Sequence, residues 1–162
     1  QNLNSELEKI KSYSQNKNKV ELQDILKLTN LAENYSVSEL IDSCLSKNKK
    51  KTINVLNENN YSHEDCVLIV RTFLMKAKRL VKLCKDQLRV NNLDAVITSF
   101  KPPIFWKDKE IIKHQISRWS YNQAEALTYE INEIELLIKK FPHNSVNILS
   151  NFIINKTSSI NN

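Results

Sequence analysis

Apolar side chains recur at three- and four-residue intervals along almost the whole chain, the period of an α-helix rather than the alternation of a strand. Residues 2–14 place Leu3, Leu7 and Ile10 at that spacing, which predicts a short amphipathic helix. The polar run 14–19 predicts a loop, and Leu22, Ile25, Leu26 and Leu28 predict a second short helix over 20–28. Residues 29–35 read as a connection between units. Ser36 and Glu39 fit a capping box, in which each side chain satisfies a backbone donor that a helix start leaves orphaned, so a helix is predicted to begin at about Val37. After the basic loop 47–51, Ile53, Val55 and Leu56 predict a short helix over 50–58, closed by Asn59 and Asn60 and paired with its predecessor as a helical hairpin.

Ser62 is the predicted cap of a long helix over 64–90, with Glu64 and Asp65 in its first turn, where negative charge complements the helix dipole. At about 100° per residue, Cys66, Ile69, Phe73, Ala77, Leu80, Cys84 and Leu88 share one face. Arg71, Lys78, Lys82, Lys85 and Arg89 fall in a stripe about 60° wide on the opposite face. Burying the apolar row contributes on the order of 10 kcal/mol before conformational entropy is charged, so core packing rather than charge fixes this helix.

Asn91 and Asn92 are expected to end it, and 93–100 is a short helical or extended connector to Pro102 and Pro103, whose rings force an extended turn. Residues 108–119 predict a helix with Ile111, Ile112, Gln115, Ile116 and Trp119 near its buried side. Ser120 is the predicted cap of a second long helix over 121–141, carrying Ala124, Leu127, Ile131, Ile134 and Ile138, with Glu135 and Lys139 as an i,i+4 pair. Pro142 stops it. A last helix is expected over 145–154, followed by a polar tail, disordered over 156–162. No strand pattern competes, and the predicted fold class is all-α, a bundle of about seven or eight helices.

Composition narrows the chemistry. Glycine is absent from all 162 residues, so no glycine loop can cradle a phosphate or a dinucleotide. Cys44, Cys66 and Cys84 are widely spaced and suggest neither a disulfide framework nor a zinc site. With no membrane-spanning apolar stretch, a soluble cytoplasmic protein is expected. The chain opens at Gln1 with helical pattern at once, which reads as a piece of something longer. His63, His114 and His143 have no ligand-spaced partners and are expected to be solvated or edge residues, as are Glu130, Glu133 and Glu135 on a helix surface. No catalytic, cofactor or metal residues are nominated, and no intrinsic activity is expected.

The net charge of +6 is uneven. Residues 71–89 hold seven Lys or Arg against one Asp, so one helix carries the whole excess. Such a stripe is open to three readings: a solvated face, a contact with an acidic neighbouring protein, or a phosphate-binding surface. No aromatic residues are interleaved to stack bases, which weakens the last. Phe105 and Trp106, after the double proline, are expected to tuck under the bundle and pin the loop, with an interface anchor as the alternative.

The order of these segments resembles a known family. An L-x-x-E-L-E-K-I helix and a V-E-L-Q-D-I-L helix precede S-x-x-E-L-I-D-S-C-L, a basic hairpin and the V-L-I-V-R-T-F-L-M-K-A-K-R-L-V-K-L helix, with K-P-P-I-F-W-K-D-K-E-I-I-K and E-I-N-E-I-E-L-L-I-K-K after it. Together they resemble the C-terminal half of the delta subunits of bacterial DNA polymerase III clamp loaders. The resemblance covers nearly the whole chain, and its weight lies in order and spacing. It implies that residues 1–31 are the end of an AAA+ lid domain and 35–155 a collar domain, through which subunits join a ring. Arg71, Lys78, Arg79 and Lys82 fall on the family's Arg-rich collar helix, and Glu135 and Lys139 match its acidic residue followed four later by Lys. Some members carry Gly where this chain has Asn48 and Asn60. The implied partners are the delta-prime and gamma/tau subunits, with the sliding clamp reached only through an N-terminal domain outside this chain, DNA contact possible and indirect, and no membrane. A DNA-directed DNA polymerase or nucleotidyltransferase label would be inherited from the holoenzyme that serves DNA replication. The alternative is a stand-alone helical nucleic-acid-binding module using the basic helix 71–89.

Overall fold

A computed structural model describes Lys11, Ser12, Ser14, Glu21 and residues 31–90 and 92–158. The chain divides into two compact units, residues 1–37 and 38–162. The helices expected over 2–14 and 20–28 lie outside the described residues, apart from Lys11, Ser12 and Ser14, which are helical, and Glu21.

Among the described residues the protein is all-α, and residues 31–158 carry seven α-helices: α1 Leu31–Leu45, α2 Lys49–Glu58, α3 His63–Gln87, α4 Leu93–Ser99, α5 Lys109–Ile116, α6 Tyr121–Lys140 and α7 Ser145–Ser158. Single 3₁₀ turns at Trp106–Asp108 and Pro142–Asn144 lead into α5 and α7. The second unit is organised around α3, which packs chiefly on α6 and also meets α4, α5 and α7.

The two long helices start where their caps require. Ser62 Oγ accepts from Asp65 N at 3.3 Å while Asp65 Oδ2 accepts from Ser62 N at 2.6 Å, a reciprocal box. Ser120 and Gln123 repeat it at the head of α6. The apolar row of α3 is buried from Cys66 to Cys84, with Phe73 against Phe152 of α7 at 6.0 Å between centroids. Ala124, Leu127, Ile131 and Ile138 of α6 face it from across the core.

Several expectations are corrected. The helix expected to begin at Val37 already includes Leu31, so 31–35 is not a connection and Ser36 is not a cap. Leu31, Ala32 and Glu33 favour helix and nothing in 31–35 breaks it, while Glu39 pairs with Lys51 of α2 at 2.8 Å. Leu88 is 76% exposed rather than in the core, because Arg89 N and Val90 N fold back onto Asp86 O and end α3 first. Ile111 is likewise exposed. Helix α5 stops at Ile116, where Ser117 Oγ donates to His114 O, so Trp119 reaches the core from beyond the helix. The disordered tail expected from 156 is helical through Ser158, with Thr157 buried and its hydroxyl donating to Ile153 O.

Long-range hydrogen bonds fasten residues 38–45 of α1. Ser43 Oγ meets Thr52 Oγ1 of α2 at 3.0 Å, closing the expected hairpin. Cys44 Sγ donates to Ile153 O of α7, and Trp119 Nε1 donates to Leu45 O at 2.7 Å. The hairpin turn places Lys47 in the left-handed region at φ 56°, a strained position for a residue with a Cβ. Its ammonium lies 3.7 Å from the Trp119 ring centroid and donates to Lys156 O at 2.5 Å, capping the last turn of α7. Glu130 is not simply solvated, since it pairs with Lys156 across the α6–α7 contact. The Glu135–Lys139 pair forms as expected, at 2.6 Å.

Candidate functional site

Helix α3 presents two chemically different faces beside its core row. Arg71, Lys78, Lys82 and Lys85 are exposed along one side, each step of seven residues carrying the charge about 10 Å farther along the axis. Arg89 lies beyond the helix, in its terminal turn, and is also exposed. None of these five forms an ion pair among the described residues, although the same unit satisfies other cations, such as Lys113 between Asp94 and Glu110 at 2.8 and 2.9 Å.

Arg79 belongs to a different surface. It is half-buried about 100° around the helix from Lys78 and lines a groove of about 380 Å³ together with Met75, Lys76, Phe100, Pro102, Pro103, Ile104, Phe105 and Asp108. The segment 100–108 forms the far wall and contains Pro102, which follows a cis peptide bond, and Pro103. Phe105 and Trp106 were expected beneath the bundle; they are instead 57% and 68% exposed, with tilted rings 5.8 Å apart. The 3₁₀ turn that starts at Trp106 directs them outward rather than into the core, already filled there by Phe100, Ile112 and Ile116. The sequence-nominated residues therefore separate into an exposed cationic ridge, Arg71, Lys78, Lys82 and Lys85 with Arg89 at its end, and a groove lined by Arg79 and Phe105, with Trp106 against Phe105 but outside the lining. Lys82 joins the two, its ammonium 4.9 Å from the centroid of Phe100.

Met75 and Lys76 were missed. Met75 is 63% exposed and lies about 40° from the ridge, and an outward methionine within a basic stripe is a signal the sequence does carry. Lys76, counted with the charge excess, is buried. Its three donors go to Asp42 Oδ2 at 2.5 Å, Ser38 Oγ at 2.7 Å and Ser38 O at 3.2 Å. Gln115 Nε2 completes the network by donating to Asp42 Oδ1 at 3.0 Å. Burial lowers the Lys76 pKa from its ordinary value, and the charge and hydrogen bond of Asp42 partly offset that. The ammonium is thus committed to the core.

Titratable groups elsewhere are structural. Burial pushes the Cys44 and Cys84 thiols up to about 11 and raises Cys66 as well. His63, exposed like His114 and His143, brings Nδ1 within 2.9 Å of Ser145 Oγ and ties α3 to the start of α7. Among the described residues no group of three or more His, Cys, Asp or Glu could hold a metal ion, and no helix is long and apolar enough to cross a membrane. What the arrangement offers chemically is a surface for recognition: fixed positive charge beside exposed methionine and aromatic side chains. No protein-family model matches the chain, and neither a curated protein nor a solved structure matches it.

Proposed function

We propose that this chain is a protein-assembly domain, serving as the collar portion of a clamp-loader delta subunit as its segment order suggests, and holding that subunit beside its delta-prime and gamma/tau neighbours. The observation that carries the reading is the cationic ridge of α3, five like charges on one exposed side that form no ion pair among the described residues, and which adjoins exposed Met75, Phe105 and Trp106. Protein interfaces are enriched in Arg, Met and aromatic side chains. Complementary charge on a neighbour would supply orientation and encounter rate, and the apolar rim would supply most of the holding energy.

The nucleic-acid module is the competing reading of the same ridge, and one pair of measurements separates them. The chain, alone and joined to whatever coding sequence precedes Gln1, is used to capture delta-prime and gamma/tau subunits, beside a variant carrying Lys78→Glu, Lys82→Glu and Lys85→Glu. Capture by the wild type and its loss in the variant is the expected result. A salt titration with fluorescent duplex and single-stranded DNA runs in parallel. Phosphate neutralisation would show as a slope of about 0.7 to 0.9 log units of affinity per contact for each log unit of salt. Tight DNA binding at physiological salt together with no capture of the subunits overturns the assembly reading.

A further inference from the structure

The groove between α3 and 100–108 has a composition that selects its occupant. Its walls are apolar and hard to rearrange: Phe100 is buried at the base, Pro102 and Pro103 restrict the backbone, and Ile104 and Phe105 line the side facing Met75. About 380 Å³ lies within the range of a small-ligand or single-anchor pocket. Two cations stand at it without an ion pair among the described residues: Arg79 in the wall and Lys82 over the lining ring of Phe100. The one lining cation that is neutralised, Lys76, is held by Asp42 beneath the surface.

We infer that this groove docks an acidic segment of a partner protein, one that inserts an aromatic or long aliphatic side chain against Met75, Phe100 and Phe105 and sets carboxylates against Arg79 and Lys82. The inference rests on the assembly reading and specifies the chemistry of the partner. Charge complementarity chooses acid, and the apolar lining chooses a side-chain anchor rather than a bare anion. A nucleic-acid strand fits less well, because both exposed rings already carry contacts, Phe105 with Trp106 and Trp106 with Lys107, so no free pair of faces is presented for stacked bases. Exposed methionine suits the role, since its flexible polarizable side chain conforms to different anchors.

The test is a selection of random twelve-residue peptides displayed on phage against the immobilised 162-residue protein, followed by fluorescence anisotropy on synthetic copies of the enriched sequences. The expected result is enrichment of net-negative peptides that combine Phe, Trp, Leu or Met with two or more Asp or Glu. Their affinity should fall with added salt, and at least tenfold in Arg79→Glu and in Phe105→Ala. Both side chains are partly or largely exposed, and circular dichroism checks that the variants remain folded. Leu136→Ala, on the exposed face of α6, should leave binding unchanged. A twelve-nucleotide deoxythymidine strand is the competitor. No enrichment, enrichment of basic or uncharged peptides, indifference to the two groove substitutions, or tighter binding of the deoxythymidine strand at physiological salt would each overturn the inference. Acidic-peptide binding without capture of delta-prime or gamma/tau would leave the groove standing and remove the clamp-loader reading; capture of those subunits with an inert groove would do the reverse.

Discussion

Replacing Asp42 by Ala withdraws the carboxylate from beneath a lysine whose side chain is 8% exposed. Lys76 keeps only the two contacts to Ser38, and buried Gln115 loses its better acceptor, retaining Asp42 O at 3.4 Å. Breaking a buried ion pair from one side costs about 3 to 5 kcal/mol, because an uncompensated charge stays in a poorly solvated site. The Asp42 side chain is 23% exposed, so water can partly replace it and the lower end applies, about 3 kcal/mol. With an m-value of about 2 kcal/mol/M, the urea midpoint falls by about 1.5 M. Lys76→Met together with Asp42→Ala removes both charges and should recover at least half of that loss.

A pH series gives an independent check. The folded pKa of Lys76 lies below its unfolded value of 10.5, so between those values the unfolded chain binds the extra proton and stability rises with pH. Removing Asp42 takes away the charge that had been holding this pKa up, which widens the window. The deficit of Asp42→Ala relative to wild type should therefore shrink between pH 7 and pH 10, and the buried thiols, common to both proteins, cancel. A midpoint within about 0.3 M urea of wild type, or a deficit that grows as pH rises, would show that Lys76 is not held as described.

Phe73→Ala and Leu80→Ala should each cost about 2 to 5 kcal/mol, read from denaturant midpoints, whereas Leu88→Ala should stay within about 0.5 kcal/mol of wild type. Iodoacetamide at pH 8 should label none of Cys44, Cys66 or Cys84 in the native protein and all three in urea, as mass spectrometry would record. Because Cys44 ionises near 9.0 when unfolded and about 11 when folded, the stability it contributes is complete below pH 9 and lost as pH climbs towards 11, so the deficit of Cys44→Ala should narrow over that interval. Trp119→Phe removes the bond to Leu45 O and weakens the seat of Lys47, for about 1 to 3 kcal/mol. Trp106→Phe should leave stability unchanged while abolishing most iodide-quenchable fluorescence.

Local periodicity and end chemistry were enough to read most of the helices. The long helices follow from three-four spacing, from Ser62 and Ser120 at their heads, and from Pro142 at the end of α6, all of which act within a turn or two of the chain. The same local rules misread Ser36, because the capping-box pattern also occurs inside an uninterrupted helix, where Glu39 is drawn to Lys51 of the next helix. The ridge was legible as charge on a wheel. The groove was not, since its two walls come from α3 and from 100–108, and only closure of the bundle sets them side by side.

What the sequence by itself determined is the helical class, the core row of α3 and the exposed charge opposite it, because each depends on residues less than two turns apart. What the tertiary structure decided is which polar groups go inside. Lys76 reads as one more surface cation until Asp42, 34 residues earlier, supplies the carboxylate that lets it be buried. Lys156 reads as tail until Glu130 and the carbonyl-seeking ammonium of Lys47 hold the last turn of α7. A buried polar group is stable only when its donors and acceptors are met, and here the partners that meet them lie far away along the chain.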